Sequence, residues 1–182
     1  GPTAAAAAQT APAAAAGVEE EVDLESLPRT EESYQLAVAC SRVYLFDKTP
    51  GTLCVTATKL YFFVRGDRDG SKGYHVWELA DIQQIFNRRY VASSALEFFV
   101  ASSGRGYLFE FGHKKALVRL ATALASAASS ASGRRVDFIK DARRVFKKEG
   151  WTALWQRREI STFQYLMALN KYAGRTLNDV AQ

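Results

Sequence analysis

The sequence predicts a mainly β fold with added α: a seven-stranded antiparallel barrel, capped by a C-terminal helix and followed by a short helical segment. Three observations carry this reading. Seven runs of five to eleven residues, rich in Val, Ile, Leu, Tyr and Phe, lie between Leu36 and Phe111 with turn-forming residues between them. The apolar period then changes to that of a helix, at Leu117, Leu120, Ala121, Leu124, Ala125 and Ala128. Finally, Ser161-Thr162-Phe163-Gln164 has the form of a capping box, in which hydroxyl and amide each satisfy an orphan backbone N–H.

Each element can be justified in turn. Leu36–Phe46 reads as the first strand, and Asp47-Lys48-Thr49-Pro50-Gly51 as a turn by its Pro-Gly punctuation. Thr52–Thr56 is the return strand, and Leu60–Val64 the third. Residues 65–73 form a polar loop. Tyr74–Glu78, Ile82–Tyr90, Ala95–Ala101 and Tyr107–Phe111 complete the set, with Trp77 expected in the core. The Leu/Ala stripe that follows suits a helix packed closely on a curved sheet. Ser129–Gly133 reads as a flexible linker. Val136–Lys148 reads as a basic amphipathic helix stopped by Gly150, and Trp151–Gln156 as a short Trp-anchored segment. The helix opened by the capping box ends at Gly174, in the usual C′ position. Seven strands followed by one helix is the element order of a pleckstrin homology (PH) fold.

Composition narrows the function classes. Of 182 residues, 48% are apolar and 24% charged, the balance of a globular chain. Residues 1–33 carry seven acids and one Arg, so the net charge of +5 conceals a strongly basic remainder. The densest basic stretch, Arg134–Arg158, holds nine basic and three acidic residues. Such a field favours anionic partners, or is simply a solvated helix face. Aromatics do not alternate with these cations as in a base-stacking platform, so nucleic acid is not an expected partner. Two cysteines, Cys40 and Cys54, and two histidines, His75 and His113, make no disulfide scaffold, metal set or triad. The cysteines flank the first hairpin and are expected as reduced, buried thiols. No cofactor, metal or catalytic residue is expected, and no enzyme. No secretory signal or transmembrane run is recognisable. Gly1-Pro2 looks like a tag remnant, and the Ala-rich and acidic tail offers no face to bury, so it is expected to be disordered.

The run from Trp155 through Glu159-Ile160-Ser161-Thr162-Phe163-Gln164-Tyr165-Leu166-Met167 to Asn178-Asp179 closely resembles the opening of a BEACH domain. Gly51-Thr52-Leu53, Leu60–Phe63, Ile82–Tyr90 and Ala95–Phe99 resemble strands of the PH-type domain that precedes BEACH domains. Thr162 and Leu177 depart from the family's usual Asn and aromatic residue. The resemblance implies a division into a tag remnant and tail (1–33), a PH-like domain (34–128), a linker and basic helix (129–145) and an N-terminal fragment of a BEACH domain (146–182). It also implies a large cytoplasmic scaffold of vesicle traffic, lysosome-related organelles or autophagy, peripheral on endomembranes. Its partners would be the BEACH domain of its own parent and other trafficking proteins.

Two sets of residues follow as candidates. Neighbouring strand residues point to opposite faces, so one of Arg88 and Arg89 must meet a partner. With Tyr90, Trp155, Phe163, Tyr165 and Leu166 they form the expected interdomain interface. The partner of the aromatic helix lies in the remainder of the BEACH domain, so this end is expected to dock loosely. The alternative reading is a phospholipid-binding PH domain using Lys48, Lys59, Arg65, Arg68 and Lys72. These cations do not converge on one hairpin and are mixed with Asp47, Asp67 and Asp69, so weak or no phosphoinositide binding is expected.

Overall fold

A computed structural model describes residues 22–66 and 73–179. Residues 1–21 of the expected tail, Arg68 and Lys72 lie outside the described residues, whereas residues 22–33, expected to be disordered, are ordered: Leu24–Ser26 form a short turn and the stretch from Leu27 onward packs on the barrel. The strands are β1 (Leu36–Tyr44), β2 (Asp47–Val55), β3 (Lys59–Val64), β4 (Tyr74–Glu78), β5 (Ile82–Tyr90), β6 (Ser93–Val100), β7 (Gly106–Phe111) and β8 (Phe138–Ile139). The helices are α1 (Lys114–Ser132), α2 (Ala142–Glu149), α3 (Trp151–Gln156) and α4 (Thr162–Ala173). The strands join in the order β4-β3-β2-β1-β7-β6-β5-β8. All pairs are antiparallel except β5 with β8, which is parallel. This is the PH-like fold: a rolled seven-strand antiparallel sheet closed by a helix, then a short helical region.

Alternation builds the interior. Leu36, Val38 and Cys40 of β1 face inward with Leu53, Leu60, Phe62, Trp77, Ile85, Leu96, Phe98 and Phe109. Leu117, Leu120, Ala121, Leu124 and Ala128 of α1 close this core, and their small size lets the helix sit low on the sheet. Trp77 meets Phe98 and Tyr107 edge-on, with ring centroids 5.1 and 4.8 Å apart.

The first hairpin turns earlier than the Pro-Gly pair suggests. Tyr44 faces Asp47, so the tip is Leu45-Phe46, with Leu45 at φ 53°. Pairing β1's apolar positions with Leu53 and Val55 fixes this register, because a one-residue slip would turn them outward. Pro50-Gly51 therefore lies inside β2. Pro50 is tolerated there because β3 ends opposite Gly51, at Val64. Gly51 is required because a Cβ would stand 2.2 Å from the Phe63 carbonyl and 2.6 Å from the Phe62 ring. Gly51→Ala is expected to cost about 1–3 kcal/mol by overpacking. Chemical denaturation would measure it, and unchanged stability would contradict the close approach.

Two further expectations are corrected. Residues 129–132 are not a linker but the last turn of α1. The Ser129 and Ser132 hydroxyls donate to the carbonyls of Ala125 and Ala128, and Gly133 ends the helix in the left-handed region (φ 64°). The basic helix starts at Ala142, not Val136. Val136 is buried in the barrel core, and Phe138-Ile139 pair with Ile85-Phe86. Sheet pairing and burial thus override a helical pattern that rests mostly on charge. The Trp-anchored segment is helix α3, and the expected capping box of α4 and its end at Gly174 are present.

Cys40 and Cys54 are free and buried. They oppose Gly51 and Ala37 rather than each other. Burial pushes both thiols up, that of Cys54 to about 12. Before β1, the segment from Leu27 to Tyr34 lies against Cys54, Tyr61 and Phe63 on the outer face. Glu32 anchors it by accepting from the Thr58 hydroxyl and, at 2.9 Å, from the Thr58 N–H. Hydrogen bonds from Thr56 and Thr58 hold the Glu32 carboxyl well below its usual range, down to about 2. A depressed folded pKa means that this anchor persists above the ordinary carboxylate range and is lost as pH falls through about 2. The Thr58 amide resonance should therefore titrate near pH 2. A midpoint near 4.5, the ordinary value, would contradict the anchor.

Candidate interdomain interface

Most outer strand faces of a small barrel meet water. Here the outer face of β5, β6 and β7 does not. Phe86, Arg88, Ala95, Glu97 and Leu108 point away from the core and are still at least 95% covered. β6 is apolar on both sides, as a strand buried on two faces must be, with Glu97 set among Ala95, Leu96, Phe98 and Phe99.

Arg88 and Glu97 form a buried ion pair, with side chains 3% and 1% exposed and Nε to Oε2 at 2.8 Å. Neither could be buried alone, so their remaining atoms need partners. Those partners come from the far end of the chain. Arg88 Nη2 donates to the Lys171 carbonyl at 2.7 Å, at the C-terminus of α4. Glu97 Oε1 accepts from Thr176 Oγ1 at 2.5 Å and from Asn178 Nδ2 at 3.4 Å. Asn178 Nδ2 also donates to the Gly106 carbonyl at 2.9 Å. Gly106 has no room for a side chain there, since a Cβ would lie 2.8 Å from Glu97 Oε1. Beyond it, Asp179 forms a parallel bridge with Leu45 at the first hairpin tip.

An aromatic cluster continues the contact. Tyr172 is 7% exposed and meets Phe86 edge-on at 5.5 Å, with Phe146 and Trp151 at 5.6 and 6.3 Å. Its hydroxyl donates to Glu149 Oε2 at 2.5 Å and accepts from Gln84 Nε2 at 3.2 Å. Trp151 Nε1 donates to the same Glu149 oxygen at 2.7 Å. Burial, then the Glu149 bond, pushes the Tyr172 hydroxyl up to about 12. Lys171 lies with Nζ 4.1 Å from the Phe99 ring centre and 5.6 Å from that of Phe86. Its burial lowers the ammonium pKa.

The sequence candidates separate into two groups. Arg88 is buried in this contact, whereas Arg89 is exposed and Tyr90 is half-buried against Val43, Ala95 and Leu108. Trp155 stacks on Tyr165 at 4.8 Å and 6°, away from the barrel contact. Phe163, Leu166 and Met167 are 71%, 51% and 43% exposed on α4. One side of α4 is thus docked and the other bare, where loose docking was expected throughout. Of the candidate lipid cations, Lys48 and Lys59 each stand beside a carboxylate. Lys48 pairs with Glu110, Lys59 lies 3.8 Å from Glu31, and Arg65 follows directly on β3.

Glu97, Lys171, Tyr172, Thr176 and Asn178 were not expected as a set. A lone carboxylate in an otherwise apolar strand was the available signal for Glu97. Nothing local marks Thr176 as its partner, 79 residues away.

The two regions joined by this contact correspond to two known families. Residues 40–125 match the PH domain associated with Beige/BEACH, and residues 153–182 match the Beige/BEACH domain. This chain carries a PH-BEACH domain followed by the start of a BEACH domain. It is 36% identical over 150 residues to the putative neurobeachin homolog of Caenorhabditis elegans, covering 73% of this chain and 6% of that protein. It is 30% identical over 112 residues to the BEACH domain-containing protein lvsE of Dictyostelium discoideum, covering 61% of this chain and 5% of that protein. The solved PH domain of human oxysterol binding protein-related protein 11 is 13% identical, with TM-score 0.45 over 54% of this chain and 82% of that one. The PH-BEACH chain spans about 6% of the length of the C. elegans relative. Among the described residues, no helix is long and apolar enough to cross a membrane, and no group of His, Cys, Asp or Glu could hold a metal ion.

Proposed function

We propose that this chain is a non-enzymatic packing module, in which the outer face of the PH-type barrel receives the BEACH domain of the same parent. The observation that carries this reading is the Arg88–Glu97 pair, in which Arg88 Nη2 is met by the Lys171 carbonyl and Glu97 Oε1 by Thr176 and Asn178. A buried pair contributes little net stability but tolerates only one geometry of its partners, so it acts as a registration device. The bare side of α4, with Phe163, Leu166 and Met167, then faces the rest of the BEACH domain, with the Trp155–Tyr165 stack beside it. The parent is a large scaffold working in the cytoplasm and peripherally on endomembranes, in vesicle traffic, lysosome-related organelles or autophagy. Other trafficking proteins are its outside partners. Headgroup-selective phosphoinositide binding is not favoured, because Lys48 already has a carboxylate and Lys59 has one nearby.

The test is capture of a separately produced BEACH domain by the barrel segment, residues 22–141. Wild-type barrel should retain it, and Arg88→Glu should lose at least tenfold in affinity, about the 1.4 kcal/mol or more expected of a broken buried charge contact. Arg89→Glu, on the exposed side, should change it far less. Equal capture by all three barrels would reject the reading.

A further inference from the structure

We propose that the outward face of α2 is an electrostatic contact site for an anionic lipid surface, separate from both the interdomain contact and the barrel hairpins. The argument begins with how α2 is held. The Asp141 side chain caps it by accepting from the Arg144 N–H at 2.9 Å, and Gly150 ends it in the left-handed region. Ala142, Val145 and Phe146 turn inward to the cluster around Phe86 and Tyr172, and Glu149 is taken up by Tyr172 and Trp151. The opposite side then has one composition. Arg143, Arg144, Lys147 and Lys148 are all exposed, and none has an ion-pair partner among the described residues.

Arg143 with Lys147 and Arg144 with Lys148 are like charges four residues apart, a spacing that repels. The carboxylates that could relieve them, Asp141 and Glu149, are used as cap and anchor. The fold thus holds four cations side by side along a helix of about 12 Å and leaves their charge to be met from outside.

The chemistry of the occupant follows from what this face lacks. It is convex, so its cations do not converge on a single phosphate as a headgroup cage does. It carries no aromatic ring on which a base could stack. It has no apolar residue to form the dry centre of a protein interface, where Lys is depleted. A row of diffuse cations without a pocket matches a surface of many anionic headgroups, read by charge density and not by headgroup identity.

The experiment is vesicle co-sedimentation of the full 182-residue chain. Vesicles of phosphatidylcholine alone are compared with vesicles containing phosphatidylserine. Wild type should partition to the anionic vesicles only, and lose binding when salt rises from about 0.05 to about 0.5 M, as the screening length contracts. The variant Arg143→Glu/Arg144→Glu/Lys147→Glu/Lys148→Glu should bind about a hundredfold more weakly. Lys147→Gln/Lys148→Gln, which leaves cap and anchor untouched, should give an intermediate loss if folding is the concern. Lys48→Glu/Lys59→Glu should bind as wild type does. Three results would overturn the proposal: no binding of wild type to phosphatidylserine vesicles at low salt, equal binding by the α2 variants, or an equal loss in the Lys48/Lys59 variant.

Discussion

Glu97→Ala is expected to destabilise the protein by about 3–5 kcal/mol, the cost of leaving a buried guanidinium without its carboxylate. Four groups lose their acceptor or its support at once. Arg88 Nε keeps no ion pair, the Thr176 hydroxyl and Asn178 amide lose an oxygen, and the turn after α4 loses its anchor on β6. The effect should be non-additive. Arg88→Met/Glu97→Leu removes both charges, and its barrel should recover most of the loss, because an apolar pair of similar volume needs no partner. Docking should not recover, since Lys171, Thr176 and Asn178 would then face an apolar wall. Denaturation curves report the first effect and amide exchange in residues 171–179 the second. If the single and double variants proved equally unstable, the pair would not be the source of the loss.

Tyr172→Ala should cost about 3–5 kcal/mol of docking stability, as for other large aromatic truncations. The ring fills the space between Phe86, Phe146 and Trp151, and few neighbours are free to collapse into it. The barrel core does not include Tyr172 and should keep its own exchange protection, while α2, α3 and α4 lose theirs. Tyr172→Phe isolates the hydroxyl and should cost about 1–2 kcal/mol through the Glu149 bond. The same hydroxyl gives a pH signature. Its folded pKa lies above the ordinary value of 10, so its contribution is complete below pH 10 and fades as pH rises through about 12. Tyr172→Phe should flatten that limb of the pH profile. Equal loss of barrel and helix protection in Tyr172→Ala would show that the two unfold as one unit.

The barrel was readable because its signals are local. Alternation in β1 and β3, the switch to helical spacing at Leu117 and the Ser161 capping box each act over a few residues. The misreadings occurred where tertiary contact overrode a local cue. Pro50-Gly51 has the punctuation of a turn, but Gly51 is needed where the Phe62 ring crosses β2. Phe138-Ile139 lies in a basic stretch of helical pattern, but β5 supplies hydrogen-bonding partners that a helix there would forgo. Strand parity showed that one of Arg88 and Arg89 must meet something, without saying which. The burial of Arg88 depends on Glu97 across the strand pair and on the Lys171 carbonyl 83 residues later, and no short window contains all three.

The two-residue strand β8 has a consequence for how copies of this chain avoid one another. An open β5 would offer unpaired amides and carbonyls to any passing extended segment. With Phe138-Ile139 laid along Ile85-Phe86, the middle of that rim is covered by the molecule's own polypeptide, and at the other margin stands the five-residue β4. Edge-to-edge accretion is thus denied a long uninterrupted run on either margin, and a proline at Ile139 would lengthen the bare run on β5.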